Sequence, residues 1–430
     1  MKYILRKVIF SILLFGILLL LLVYNAGENG RRMIQIVKGT RLSSVESIKT
    51  AITSLEEAMN EGFTGRISFI ELYSKAAKIL GKKEISDFLY IRDENGFLHN
   101  TSFYSGYDPN ILNYAIRLKI LQEKVEEKGG KLLFIIPPTK YRVGETVVDY
   151  GLPVANPENK ISELMNIFTD YDISVIDFNQ YFPNQRLPYD QCFYRTERYW
   201  TIPAAWMAAR EISHWMEVSK GVRLDPDGSK LGPSAYDWVT YPGKMLGSQG
   251  LKTGKNYIGT EDFTALWPKD PGLYEYLSYL DNGERNIVRG DIYETLINKS
   301  LPDTLGEYPN MSAYNTYLPG QYRHSIITNR NNFEGLKVFM MRDSYFSPVS
   351  VFLAPVCGII DSIWSDLEET IYKVEDYIEN QEFDFVIMEI DPYNISVNTF
   401  DFYREEAEIR MDMLGLSKKN EEKNDRSLVL

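Results

Sequence analysis

The stretch LKVFMMRDSYFSP, residues Leu336–Pro348, decides the fold prediction. An apolar run ends at Asp343-Ser344, and a segment of small and apolar residues that a helix can accommodate follows it. This order is typical of an α/β fold, in which ligands bind at the carboxyl ends of the strands. Ser344 is therefore a candidate nucleophile, and it needs a base that accepts its proton.

Four further apolar runs predict buried strands beside this one: KLLFIIPP (131–138), ISVIDF (173–178), GIIDSIW (358–364) and FDFVIMEI (383–390). Apolar residues at helical spacing predict helices at 111–128, 161–170, 203–218, 347–353 and 365–380. Strand–helix–strand repeats of this length imply a parallel sheet with helices on both faces. We therefore predict an α/β fold with a mostly parallel sheet flanked by helices, and a β-hairpin at 88–98 that turns at 93–96.

The chain divides into segments of different composition. A helical, membrane-proximal lead-in is predicted at 25–85, with helices at 43–60 and 67–79, and the main domain at 86–415. Within that domain, residues from about 225 to 332 are rich in Gly, Tyr, Asn and Pro. They predict an insertion of loops and short strands that packs on the sheet and shapes the substrate surface. Residues 416–430 are polar and predict a frayed tail.

The N-terminus predicts a membrane anchor. Lys2, Arg6 and Lys7 precede an uninterrupted apolar run at 8–24, and no clear A-x-A cleavage site follows it. This pattern is that of a signal peptide or a signal anchor, and we favour an uncleaved anchor. The basic residues place residues 1–7 in the cytoplasm and the body outside, although Arg31 and Arg32 oppose this orientation.

Composition excludes several classes of function. The formal net charge of −12 argues against nucleic acid as a partner. No Gly-rich phosphate loop is present. Two cysteines and three histidines make no recognisable zinc site, so we predict neither a metal nor a cofactor. Cys192 and Cys357 allow a disulfide in an oxidising compartment, but two independent buried thiols are the preferred interpretation.

Four short motifs carry a resemblance to a known family. They are NGFLH (95–99), IIPPTKY (135–141), YDQCFYRTERYWT (189–201) and MRDSYFSP (341–348). In order and spacing they resemble the SGNH/GDSL-type hydrolase-like proteins of the DHHW group, which are similar to the alginate O-acetyltransferase AlgJ/AlgX domains. The resemblance runs from about residue 63 to 394 and implies an SGNH-hydrolase-like fold.

The resemblance also implies a Ser–His–Asp triad, which this chain changes. The family segment close to T-D-H-H-W-T matches residues 196–201, so the serine is Ser344 and the aspartate position holds Glu197. The triad histidine position holds Tyr199, and Trp200 matches the family tryptophan. Imidazole accepts protons near neutrality, whereas a phenol with a pKa near 10 stays protonated. The sequence therefore predicts a degenerate triad in which Tyr199 can still donate to a substrate oxygen.

The other candidates have alternative roles. His324, or Glu197 if it is buried beside Ser344, would be a substitute base. His99 matches a variable position of the family, and His214 is interpreted as structural. Asp343 and Trp200 are predicted to bind substrate, although Ser344 and Asp343 could instead cap the following helix. Lys140 is predicted to bind a hydroxylated or anionic ligand, or to pair with a carboxylate. Three more charged residues at strand ends are interpreted as ion-paired or solvated groups: Arg342, Glu389 and Asp391.

Two functional hypotheses follow from the resemblance. One is an active O-acetyltransferase or esterase of cell-surface polysaccharide, in which Ser344 works with an unusual base. The other is a relative with reduced or no catalysis, anchored by a single span with its body outside the membrane, that binds glycan or a membrane-bound O-acyltransferase. The Tyr199 position favours the second. A plain structural protein of the envelope is a third, weaker option.

Overall fold

The computed structural model describes residues 66–101, 108–154, 156–280, 284–320, 322–365, 373–396 and 398–415. The predicted anchor at 8–24, the helix at 43–60 and the tail at 416–430 lie outside these residues. No helix in the described part of the chain is long and apolar enough to cross a membrane. The chain divides into two compact units after Leu80. The described part of the first unit contains helix α1 (Arg66–Ile79), and all other elements belong to the second.

The second unit alternates strands and helices. Its strands are β1 (Glu84–Ile85), β2 (Tyr90–Arg92), β3 (Leu98–Asn100), β4 (Lys131–Ile136), β5 (Val175–Asp177), β6 (Tyr236–Met245), β7 (Glu261–Pro268), β8 (Tyr274–Tyr279), β9 (Arg285–Gly290), β10 (His324–Asn329), β11 (Lys337–Arg342), β12 (Ile359–Trp364) and β13 (Phe385–Glu389). Its α-helices are α2 (Ile111–Glu127), α3 (Glu158–Asp170), α4 (Phe178–Asn184), α5 (Tyr189–Cys192), α6 (Ile202–Lys220), α7 (Ser248–Thr253), α8 (Lys255–Ile258), α9 (Ile292–Thr295), α10 (Leu301–Thr304), α11 (Phe346–Leu353), α12 (Val374–Asn380) and α13 (Arg404–Met413).

The main sheet has eight strands in the order β5-β4-β13-β11-β12-β10-β8-β9. The five strands predicted from apolar runs are its parallel half, β5 to β12. Strands β8, β9 and β10 pair antiparallel and continue the sheet beyond β12. The predicted insertion therefore extends the sheet as well as packing beside it, which corrects the sequence-based expectation. The fold is α/β with a mixed sheet whose parallel half carries Ser344.

Two hydrophobic cores lie on the two faces of the sheet. Alternate residues of β11 enter different cores, with Val338 and Met340 on one side and Phe339 and Met341 on the other. Residues on successive positions of a strand point to opposite faces, so a strand buried on both faces reads as a continuous apolar run. This is why the sequence predicted the central strands correctly.

Two local predictions are confirmed beside the sheet. Strands β2 and β3 form the predicted hairpin, and Gly96 closes its turn with a φ of 85°. Helix α6 begins at the predicted place because the Thr201 side chain accepts a hydrogen bond from the N–H of Ala204. Helix α12 matches the second half of the helix predicted at 365–380. Cys192 and Cys357 are both buried free thiols.

Candidate active site

Ser344 lies at the carboxyl end of β11, in the turn that leads to α11. Its neighbour Asp343 closes this turn, because Oδ1 of Asp343 accepts a hydrogen bond from the N–H of Tyr345 at 2.7 Å. Ser344 is 5% exposed, and β11 is flanked by β13 and β12. The structure thus presents the serine where the sequence predicted it, at the end of a central parallel strand.

Tyr199 reaches this serine. The phenol of Tyr199 lies within hydrogen-bond reach of the Ser344 side chain. The phenol ring stacks on Tyr314, with centroids 5.0 Å apart, and meets the edge of Tyr345 at 4.9 Å. Burial, followed by the charge of Asp343, raises the pKa of Tyr199 above its usual value of 10. A hydroxyl that stays protonated is a hydrogen-bond partner for Ser344 but not a base near neutral pH.

Glu197 is buried, but its contacts are with other loops. Its carboxylate accepts hydrogen bonds from the N–H of Arg198 at 2.8 Å, from the N–H of Ser248 at 2.8 Å and from the hydroxyl of Ser312 at 2.9 Å. The hydroxyl of Ser248 donates to it as well. Four donors occupy this carboxylate, so it joins the 197 segment to two parts of the insertion.

Glu197→Gln is expected to lower the free energy of unfolding by about 1.5–3 kcal/mol, the range for hydrogen bonds to a charged group. The amide nitrogen would face donors that now meet a carboxylate oxygen. The urea midpoint of the purified protein measures the loss. Glu94→Gln is the matched control, since Glu94 is half-exposed and pairs only at the surface with Lys83. Equal midpoints for both variants would contradict this role of Glu197.

Lys140 lies beneath the same segment and is 5% exposed. Its Nζ donates to the carbonyl oxygens of Arg195 at 2.9 Å and Glu197 at 2.7 Å, and to Oε1 of Gln249 at 3.3 Å. Burial lowers its pKa to about 7. The amine predicted to bind a ligand is engaged with main-chain oxygens, and it positions the residues that precede Tyr199.

Trp200 is fully buried. Its Nε1 donates to the carbonyl oxygen of Tyr345 at 3.0 Å, and its ring meets Phe178 and Tyr345 edge-on at 5.6 and 5.5 Å. The contact with Tyr345 lies one residue beyond Ser344. The structure therefore places Trp200, predicted to bind substrate, behind the serine as a support for its turn.

Comparisons with known proteins agree with this arrangement. Residues 89–265 match the model of the SGNH hydrolase-like domain of the acetyltransferase AlgX. This part of the chain is similar to that SGNH hydrolase-like domain. The resemblance predicted from the four motifs is thereby confirmed. No curated protein sequence matches the chain.

Solved structures of low identity share the fold of this chain. Two structures of Bacillus cereus PatB1, one of them with a sulfonyl adduct, align with a TM-score of 0.57 and 15% and 16% identity. They cover 73% of this chain and 97% and 99% of that one. A DHHW family protein from Eubacterium siraeum aligns with a TM-score of 0.50 and 18% identity, covering 75% of this chain and 96% of that one.

Three charged residues near Ser344 are more important than the sequence suggested. Glu389 and Asp391 are 0% and 1% exposed, so the interpretation of both as solvated strand ends is wrong. Nε of Arg198 donates to Oδ2 of Asp391 at 3.0 Å, and Oε2 of Glu389 accepts the N–H of Asp343 at 2.9 Å. The apolar run FDFVIMEI could have predicted the burial of Glu389. Ile390 continues the run past Glu389, and a charged residue within a buried strand is buried with it.

All three histidines of the chain are in described positions. Nε2 of His99 lies 3.0 Å from Asp93, and His214 is exposed on α6. Nε2 of His324, the candidate substitute base, lies 2.8 Å from Asp361, and its ring stacks on Tyr279 at 4.6 Å. Its strand β10 is two strands from β11, which is about 10 Å across the sheet. In the structure His324 therefore contacts Asp361, whereas Tyr199 lies beside Ser344.

Among the described residues, no group of three or more His, Cys, Asp or Glu side chains could hold a metal ion. The side chains described around Ser344 offer hydroxyl and carboxyl groups.

Proposed function

We propose that this protein is an extracytoplasmic, membrane-anchored relative of the O-acetyltransferases and esterases of cell-surface polysaccharides, and that its Ser344 site binds glycan with reduced or no catalysis. The position of Tyr199 carries this proposal, because its phenol lies within hydrogen-bond reach of Ser344 and packs on the ring of Tyr345. A serine needs a base within hydrogen-bond reach. Tyr199 is within reach, and its raised pKa keeps it from serving as one. A membrane-bound O-acyltransferase is the proposed second partner.

An active enzyme with a non-standard base is the second candidate. Asp343 precedes the serine, and burial followed by the charge of Asp391 raises its pKa to about 6. A carboxylate with a pKa near neutrality is a better base than an ordinary one. In that reaction, Oγ of Ser344 would lose its proton to the carboxylate and attack the ester carbonyl. The alcohol would leave with that proton, and the acyl group would pass from serine to a sugar hydroxyl or water.

The test uses the full chain, purified in detergent, with p-nitrophenyl acetate as substrate. We expect the parent to hydrolyse the ester no faster than Ser344→Ala does. Ser350→Ala is the matched control, because the Ser350 hydroxyl donates to the carbonyl oxygen of Phe346 inside α11 at 2.8 Å. Turnover by the parent and by Ser350→Ala that disappears in Ser344→Ala would overturn the proposal in favour of the second candidate.

Binding is measured separately by retardation in gels that contain O-acetylated polysaccharide. We expect retardation of both the parent and Ser344→Ala, since binding at this site does not require the nucleophile. Migration of both proteins at their rates in polysaccharide-free gels would contradict the glycan-binding part of the proposal.

A further inference from the structure

Two buried carboxyl groups, those of Asp343 and Glu389, accept hydrogen bonds from the main chain of the turn that contains Ser344. Strands β11 and β13 run parallel, with Met341 opposite Met388, so Asp343 and Glu389 emerge at the same sheet edge. Oε2 of Glu389 accepts the N–H of Asp343 at 2.9 Å, and Oδ1 of Asp343 accepts the N–H of Tyr345 at 2.7 Å. The main chain is thus held on both sides of the serine.

The two side chains also lie within hydrogen-bond reach of each other. Asp343 is 6% exposed and Glu389 is 0% exposed, so water does little to separate their charges. Two carboxylates in contact can form a hydrogen bond only when one of them keeps its proton. Like charges at this separation do not both ionise readily, and burial adds to the cost.

Two guanidinium groups lie nearby, and each donates to an acceptor other than these two carboxyl groups. The guanidinium of Arg198 pairs with a third carboxylate, Asp391, through Nε at 3.0 Å. On the other side, Nη1 of the buried Arg342 donates to the carbonyl oxygen of Asp343 at 3.3 Å. Among the described residues, the phenols near these carboxyl and guanidinium groups have a pKa that burial raises, so they stay neutral: Tyr199, Tyr276, Tyr345 and Tyr393.

We propose that Asp343 and Glu389 share one proton at neutral pH, and that this shared proton positions the main chain on both sides of Ser344. Both are positioning residues, and the inference holds whether or not Ser344 turns over substrate. The charge environment agrees with the geometry. Burial, followed by the charge of Asp343, raises the pKa of Glu389 well above its usual range, and burial raises the pKa of Asp343 to about 6.

The shared proton makes stability depend on pH with a definite sign. Above about pH 5.5 the unfolded chain has released the protons of both carboxyl groups, whereas the folded chain still holds one. Folding then takes up protons, so stability falls as pH rises, until the pair itself ionises. The fall begins above the ordinary carboxyl range and continues through pH 6 toward the higher pKa of Glu389.

Glu389→Gln tests this inference. The amide reproduces the protonated form of Glu389, so this variant is expected to lose most of the fall in Tm between pH 5 and pH 8, a fall of about 2–4 °C for each pH unit through which the proton is retained. Asp225→Asn is the matched control. Asp225 accepts the N–H groups of Lys230 and Leu231 at 3.1 and 2.7 Å, away from the pair, and should keep the parent's pH profile.

A profile of Glu389→Gln as steep as that of the parent would overturn the inference. If Glu389→Gln does not fold, Asp343→Asn replaces it, since asparagine still offers an oxygen to the N–H of Tyr345. A measurement on the parent alone decides the matter without variants. A protonated carboxyl group gives its own infrared carbonyl band, and the parent at pH 7 is expected to show one. If this band is missing, no proton is shared.

Discussion

Tyr199→His is expected to have an esterase activity that the parent protein lacks. The substitution restores imidazole beside Ser344, and a general base of suitable pKa contributes about 10²–10⁴-fold to such a reaction. The side chain at 199 already lies within hydrogen-bond reach of the serine, so the new base begins in a suitable place. Initial rates with p-nitrophenyl acetate at pH 7.5, compared with the parent at equal concentration, measure the gain.

The orientation of that imidazole decides the size of the gain. The carboxylate of Glu197 already accepts hydrogen bonds from Ser248 and Ser312, so it does not orient a histidine at position 199. The double variant Tyr199→His with Ser312→Ala removes one of the two donors to Oε2 of Glu197 and should be faster than Tyr199→His alone. Tyr199→His with Ser344→Ala is the control and must be inactive. An inactive but folded Tyr199→His would show that the site lacks more than its base.

Trp200→Ala is expected to cause the largest loss of stability of the substitutions considered, about 3–5 kcal/mol. Trp200 is 0% exposed, and its removal leaves a cavity among Phe178, Phe182, Tyr345 and Phe346. It also leaves the carbonyl oxygen of Tyr345 without the indole donor. Chemical denaturation followed by circular dichroism measures the change in the unfolding midpoint.

A second tryptophan supplies the comparison. Trp238 is 46% exposed on β6, and its Nε1 donates to the carbonyl oxygen of Pro233 at 3.1 Å. Trp238→Ala removes the same atoms from a half-exposed place, so we expect a loss of about 1 kcal/mol. Similar losses for the two variants would mean that Trp200 does not support the turn behind Ser344.

The parallel half of the sheet was predictable because burial on both faces leaves a direct mark in the sequence. Strands β4, β11 and β13 are continuous apolar runs. The antiparallel strands were harder to predict, since β9 is largely exposed at the sheet edge and its sequence, RNIVRG, has no run of that kind. Pairing between β8, β9 and β10 depends on contacts that no local pattern contains.

The candidate site was predictable only where residues keep a fixed place in a motif. The resemblance assigned Ser344 and Tyr199 to one triad, and the structure places their side chains close to each other. Lys140 and Trp200 were placed near the site, but their polar atoms are turned to main-chain oxygens. The partners of Glu197, Ser248 and Ser312, lie in the insertion and could not be found from sequence, because their contact with Glu197 exists only after the chain has folded.

The wide separation of these partners along the chain has a consequence for the order of folding. Ser312 and Glu197 are 115 positions apart, and Trp200 and Tyr345 are 145 apart. Contacts of such long range form only after the chain has closed large loops, and proteins rich in them fold slowly. The surroundings of Ser344 therefore mature late, when the strands on either side of it have already paired. Until then the folding chain contains paired strands, but the contacts that surround Ser344 have not yet formed.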